Sequence, residues 1–288
     1  MYGRLLTRLS SLFIISLITI LSCTNSSNVP GSKSSPEATG TDSTQESPFK
    51  WPDGKKAAIS LTFDDARLSQ PDRGFAVFDA YGMKATFFVN QSGIEARLER
   101  WKEAIINGHE IANHTLNHPC TGNYPFARRK ALEDCTLDEM AYELDEGTRV
   151  IEQLLGVTPK TFAYPCGQKF VGRGKKVKSY VPLVAERFLV GRGWLDEGPN
   201  DPTFCDLSQT MGMELDGLTF EEVKPIIDQA IANGHWLIFC GHEIGDPGKS
   251  QTTLVSTVDA ICRYAQDPAH ELWLDTVANI GEHIRSHN

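Results

Sequence analysis

Basic residues are scarce beside acidic ones: 28 Lys and Arg stand against 37 Asp and Glu, a formal net charge of -9. A surface made to neutralise phosphates would carry the opposite sign, so nucleic acid is excluded as a partner and a neutral or polymeric substrate suits the chain better. No Cys-x-x-Cys pair occurs among the 7 cysteines, which removes a zinc ribbon. No apolar run is long enough to cross a membrane, the stretch from about Leu12 to Leu21 being too short. There is no internal repeat, so a solenoid is excluded as well. What remains is an ordinary globular composition, 40% hydrophobic and 23% charged over 288 residues, with apolar material for one large core or two small ones.

The chain opens with Arg4 and Arg8, continues through that apolar run and reaches Ile20-Leu21-Ser22-Cys23. This resembles a bacterial lipobox, where cleavage leaves a cysteine that is lipidated; a plain secretory signal with an incidental cysteine is the alternative. Residues 1–22 are thus expected to be a lipoprotein signal peptide. Residues 23–50, beginning at Cys23 and rich in Ser, Thr, Pro and Gly, are expected to be a flexible tether. The mature protein would then be exported to the bacterial cell envelope, on its periplasmic or cell-surface side, touching the membrane through that anchor alone. In an oxidising compartment the other six cysteines could form disulfides. The expected bridge joins Cys120 to Cys135, with Cys166 and Cys240 as buried thiols.

From Trp51 onward, apolar strand candidates at 57–63, 84–90, 110–113, 160–164, 188–191, 236–240 and 272–274 alternate with helical stretches at 73–80, 96–106, 137–155, 179–187, 220–232, 253–265 and 277–284. Thr136-Leu137-Asp138-Glu139 and Thr219-Phe220-Glu221-Glu222 have the spacing of capping boxes, and several helices stop at Gly. The alternation predicts an α/β fold, a distorted (β/α) barrel of about seven parallel strands forming a single domain over 51–288, acting as a monomer. Chemistry in such folds gathers at the C-terminal ends of the strands.

Asp64 and Asp65 stand at one such end, after the apolar strand 57–63. A solvated surface turn is the plain reading of two adjacent acids. Successive strand residues, however, project to opposite sides, so one acid could hold a metal while the other handles a proton. His114 and His118 are four apart, a spacing that on a helical turn puts both imidazoles on one face. No Glu follows His114, so the general base of a zincin protease is missing. Two histidines and one aspartate leave room for water, the arrangement of a catalytic zinc site.

Thr62-Phe63-Asp64-Asp65, His114-Thr115-Leu116-Asn117-His118 and Leu237-Ile238-Phe239-Cys240-Gly241-His242 resemble the first, second and fifth motifs of the polysaccharide deacetylases, carbohydrate esterase family 4, in the family's order. The resemblance spans roughly Lys56 to Ile284. It implies a β/α barrel that removes acetyl groups, usually from N-acetylated sugars. Asp65, His114 and His118 would hold a divalent metal, most often Zn2+, with Co2+, Ni2+ or Mn2+ also used. Asp64 would be the general base and His242 the general acid. The family pattern puts an oxyanion-binding amide at Cys166 in Tyr164-Pro165-Cys166-Gly167, which makes Tyr164 and Cys166 substrate-side residues.

Two motifs depart from the pattern. Ala163 stands where the third motif has an Arg, and Cys166 where it has an aromatic residue. Arg192, at the end of the next strand candidate, could supply the guanidinium from another loop, or be a surface residue. Trp194-Leu195-Asp196 reverses the fourth motif. Trp194 could stack on a sugar or cap the barrel, and Asp196, Glu243 or Asp246 could orient His242. The basic run Lys169–Lys178 reads as a solvated loop. The competing functions are a deacetylase acting on polysaccharide or oligosaccharide, a non-catalytic envelope-anchored carbohydrate binder, and a small-amide hydrolase on the same scaffold.

Overall fold

The computed structural model describes residues 49–288. The expected signal peptide, Cys23 and nearly all of the tether lie outside the described residues. None of the described helices is long and apolar enough to cross a membrane.

Strand β1 (Ala57–Asp64) is buried along its whole length. Ala57, Ile59, Leu61 and Phe63 enter the large apolar cluster shared with the surrounding helices, whereas Ala58 on the other face joins Phe88, Ala112, Ala163, Trp236 and Ile238. Ser60, Thr62 and Asp64 share the face of Ala58 by the two-residue period of a strand. They are polar groups with internal partners: Trp236 Nε1 donates to Ser60 Oγ (3.2 Å) and Thr62 Oγ1 to the Phe239 carbonyl (2.8 Å).

The other strands of the main sheet are β2 (Thr86–Val89), β3 (Glu110–Asn113), β4 (Thr161–Ala163), β5 (Val190–Arg192), β6 (Met213–Glu214), β7 (Trp236–Gly241) and β8 (Leu272–Leu274). Their order is β5-β4-β3-β2-β1-β7-β6, every pair parallel, with β8 pairing the start of β1. All seven expected strands are present. β6 was not expected: two residues are too short to show a period. It completes the ring with the segment before it, because Thr210 exchanges backbone hydrogen bonds with Gly191 and Gly193 (2.8 Å each) while Leu215 N donates to the Cys240 carbonyl (2.8 Å). The architecture is a distorted (β/α) barrel, single-domain over the described residues.

The helices are α1 (Phe75–Tyr81), α2 (Gln91–Ala96), α3 (Leu98–Ile106), α4 (Leu137–Leu155), α5 (Val181–Arg187), α6 (Phe220–Asn233), α7 (Val255–Gln266) and α8 (Val277–His287). Both capping boxes form, Thr136 with Glu139 and Thr219 with Glu222. The single helix expected over 96–106 is two, since Asn90 caps an earlier start by accepting from Gly93 N (3.0 Å) and Arg97 breaks the helical path. Helix α7 starts later than expected because Thr252–Leu254 first pairs with Glu243–Gly245.

The cysteine pairing differs from expectation. Cys120 bonds Cys166, with Cα atoms 6.1 Å apart, and Cys135 is a free thiol. Cys166 sits in a turn after β4 with φ 53°, which sets it against the loop that follows His118. Cys240 is buried and free, as expected.

Candidate active site

The end of β1 divides the two acids. Asp64 completes the interior face of the strand and meets Arg192, at the end of β5, in a buried ion pair. Arg192 is fully buried, donates from Nη1 to the Gly193 carbonyl (2.9 Å) and lies 4.8 Å over the Phe88 ring. Burial works against its charge, but the Asp64 carboxylate more than offsets this and raises its pKa. Asp65 takes a left-handed conformation, φ 71°, which turns its carboxylate the other way, towards the histidines. Two side-chain amides hold this turn: Gln70 Nε2 donates to the carbonyls of Asp64 (2.7 Å) and His242 (2.8 Å), and Asn90 Nδ2 to that of Asp65 (2.8 Å).

His114 and His118 do not lie on a helix. His114 follows β3, and the chain then turns through Thr115 and His118, at φ 64° and 52°. A loop can bring two imidazoles together only if something rigid fixes it, and α4 does so. Asn113 accepts from Thr115 N (2.7 Å) and donates to the Leu144 carbonyl (3.0 Å); Glu143 accepts from Asn117 N (2.8 Å) and Nδ2 (2.7 Å). His118 N donates to Thr115 Oγ1 (2.9 Å).

Asp65 Oδ1 stands 3.6 Å from His114 Nε2 and 3.5 Å from His118 Nε2. Three donors about 2.0–2.2 Å from one tetrahedral ion are separated by about 3.3–3.6 Å, so this set fits a single cation. The tautomer fits too: His114 Nδ1 is 2.9 Å from the Ala163 carbonyl, an acceptor, which puts the proton on Nδ1 and leaves Nε2 with a lone pair. Burial, helped by the nearby His114, pulls the His118 pKa down to about 4 and keeps that ring neutral. Burial alone would raise Asp65, but His114, His118 and Arg67 outweigh it and hold the carboxyl below its ordinary range. His118, Cys120 and Cys166 form a second close group, but its sulfurs are joined to each other and offer no thiolate.

His242 follows β7. Its Nδ1 lies 2.7 Å from Asp216 Oδ2, and its backbone N donates to Asp216 Oδ1 (3.1 Å), which also accepts from Thr253 Oγ1 (2.7 Å). Burial opposes the imidazolium, yet its hydrogen bond to Asp216 and the charge of Asp64 prevail and raise the His242 pKa. None of the three acids considered from sequence orients His242: Asp196 accepts from Gly212 N (2.9 Å), Glu243 from Ser69, and Asp246 pairs with Arg73 (2.8 Å). Asp216 was missed. It lies in the loop after β6, where no periodicity marks it.

Asp64, Asp65, His114, His118, Cys166, Trp194 and His242 line one cavity of about 440 Å³, with Tyr124 and Phe126 at its rim. The Trp194 ring stands edge-on to His242, centroids 5.5 Å apart, and its buried Nε1 has no partner. Tyr164 is not in the cavity. Its ring packs between Phe162 and Tyr180, its hydroxyl donates to the Ser208 carbonyl (2.6 Å), and burial raises its pKa.

Residues 52–179 match the family model described as polysaccharide deacetylase. Among curated proteins, chitin deacetylase 1 of Cryptococcus neoformans is 38% identical over 112 residues, 39% of this chain and 22% of the relative. The peptidoglycan-N-acetylglucosamine deacetylase of Bacillus cereus is 30% identical over 118 residues, 39% of this chain and 38% of the relative. A gellan lyase from a Bacillus species is 26% identical over 225 residues, 77% of this chain but only 7% of its own length. The chain therefore spans well under half the length of each of these relatives. In fold, a Mycobacterium smegmatis structure assigned to the polysaccharide deacetylases aligns with TM-score 0.59 at 19% identity, over 84% of this chain and 94% of the other. The Xyl-CE4 domain of a multidomain xylanase from a termite hindgut metagenome aligns with TM-score 0.52 at 17% identity, over 78% and 90%. Residues 52–179 thus resemble the polysaccharide deacetylases in sequence, and the barrel shares the fold of these solved structures.

Proposed function

We propose that the protein is a metal-dependent hydrolase that removes acetyl groups from an N-acetylated or O-acetylated polysaccharide or oligosaccharide. The observation that carries this reading is the convergence of three neutral or anionic donors, Asp65, His114 and His118, on one cavity with a separately braced acid, Asp64, and a protonatable His242. A divalent cation held by the three donors, zinc before cobalt, nickel or manganese, would polarise the acetyl carbonyl and let water ionise near neutral pH. Asp64 accepts the proton of the attacking water, and Arg192 fixes its carboxylate in one orientation for that transfer. Cys166 lies on the cavity wall, and its backbone amide would be the donor for the oxyanion. His242, its Nδ1 engaged by Asp216, gives the leaving nitrogen or oxygen a proton from Nε2. Trp194 walls the cavity beside His242 and offers a free indole N–H to a sugar hydroxyl or the acyl group.

The absence of an Arg at Ala163 is the motive for a non-catalytic binder, and the Arg192 guanidinium on Asp64 weakens it. An envelope setting with a lipid anchor at Cys23 suits a glycan substrate, and the Cys120–Cys166 bridge suits an oxidising compartment. The test is acetate release from chitin oligomers, peptidoglycan, glucosamine polymers and acetylxylan in the presence of zinc or cobalt. One of these glycans is expected to turn over, with Asp64→Asn lowering kcat/KM by about 10²–10⁴. Unchanged turnover by Asp64→Asn, or activity confined to small amides, would overturn the reading.

A further inference from the structure

We propose that the two loops beside the cavity, 119–135 and 165–180, form a cationic arm that binds an anionic stretch of the substrate polysaccharide, next to the sugar being deacetylated. This rests on the reading of the substrate as a glycan and adds its charge. The sequence alone makes the basic run Lys169–Lys178 a solvated loop; the fold sets it beside a second one. The Cys120–Cys166 bridge ties the loops, Thr121 N donates to Gln168 Oε1 (2.8 Å), and Gly172 N donates to the Leu132 carbonyl (2.9 Å). Arg128-Arg129-Lys130 in one loop thereby joins Lys169–Lys178 in the other, within a chain of net charge -9.

The only acids in these loops are Glu133 and Asp134, and both are engaged. Glu133 accepts from Thr121 Oγ1 and from Gly122 N (2.9 Å), and Asp134 pairs with Arg173 (2.9 Å). Lys130 stands 3.6 Å from Glu143. Arg128, Arg129, Lys175, Lys176 and Lys178 are exposed and have no ion-pair partner among the described residues. Cations on the helices are treated differently: Arg100, Arg149, Arg187, Arg263 and Arg285 each stand against an acid. Unneutralised cations gathered at one place raise the local concentration of a polyanion and do nothing for a neutral chain.

The arm is continuous with the cavity. Tyr124 and Phe126 stack at its rim, centroids 5.5 Å apart and 10° from parallel, and are 43% and 69% exposed. Phe126 is two residues from Arg128, and Cys166, on the cavity wall, three from Lys169. A glycan leaving the cavity over these aromatic faces meets the cations at once, and exposed Phe170 offers it another face. Carboxylate and phosphate substituents would suit such point charges equally. A membrane of anionic lipid would also be attracted, but a bilayer seated on these loops would lie over the mouth of the cavity.

The test uses the full chain loaded with zinc and a variant carrying R128E, R129E, K175E and K176E, none of which belongs to the catalytic machinery. The probes are polygalacturonate, a polyuronate without acetyl groups, phosphatidylglycerol vesicles, and neutral chitohexaose. The wild type is expected to bind polygalacturonate with an affinity that falls steeply as salt rises, and the variant to bind it at least about tenfold more weakly. Any acetate release from chitohexaose should stay within about twofold. K175E/K176E alone should lose part of the binding, which separates a charge effect from damage to the loop near His118. Equal binding of polygalacturonate by both proteins would overturn the proposal, as would vesicle binding without polygalacturonate binding. Because binding is read without turnover, failure to release acetate from any glycan would reject the deacetylase reading while leaving the arm to be judged by its own result.

Discussion

Asp64 and Asp65 are neighbours in the chain with different surroundings, and the difference comes from one backbone angle. Asp64 keeps the direction of the strand and meets a buried guanidinium; Asp65, at φ 71°, faces two imidazoles. Removing one member of a buried pair leaves the other charge without compensation. Arg192→Ala is therefore expected to cost about 3–5 kcal/mol in urea unfolding and to lower kcat/KM strongly, whereas unchanged values of both would remove Arg192 from the account. Asp216 holds His242, the proposed general acid. It helps to raise the pKa of His242, and a general acid works only below its pKa, so the raised value extends activity to higher pH. In Asp216→Asn the alkaline limb of the kcat/KM profile should move to lower pH, and an unmoved limb would mean that His242 is not the donor. Of these residues, Asp64, Asp65, His114, His118 and His242 were legible in the sequence because each stands in a motif at the end of a strand. Asp216 was not, since only folding brings it to His242.

Helix α4 shows how an element with no residue on the cavity wall can still shape the site. Its buried face runs Met140, Leu144, Gly147, Ile151 and Leu155, a helical stripe that the sequence shows plainly. Glu143 on the same helix is also buried, and its partner is Asn117 of the histidine loop, a contact no pattern reveals. At Gly147 the helix comes so close that an added Cβ would lie 3.0 Å from Asn113 Nδ2 and from the Thr115 carbonyl carbon. Ala in place of a mid-helix Gly ordinarily stabilises by about 0.5–1 kcal/mol. Here the methyl group would push on the turn between His114 and His118, so Gly147→Ala should weaken zinc binding in competition with a chromophoric chelator. Tighter folding with unchanged zinc affinity would show that the loop does not depend on this contact. The spacing of the two histidines was legible, but its helical explanation was wrong: left-handed residues at Thr115 and His118 make the approach, and hydrogen bonds to α4 hold it.

The whole barrel brings strand ends that are far apart in sequence to one mouth. Its seven longer strands were legible because parallel strands buried on both faces read as short apolar runs between capped helices. The seam was not: it is a two-residue strand and a bridge at Thr210, joined by backbone hydrogen bonds that any sequence could make. Nor was the Cys120–Cys166 pairing, because which cysteines meet depends on how loops after different strands lie across the mouth. The central claim is that Asp65, His114 and His118, carried by β1 and the loop after β3, hold one catalytic cation at that mouth. The most direct measurement is metal content and acetate release for the wild type, His114→Ala and Asp65→Ala before and after chelation. One ion per wild-type chain, lost on chelation together with activity and regained with it on adding zinc, and absent from both variants, is the expected result. Full acetate release by metal-free protein, or stoichiometric metal retained by both variants, would contradict it.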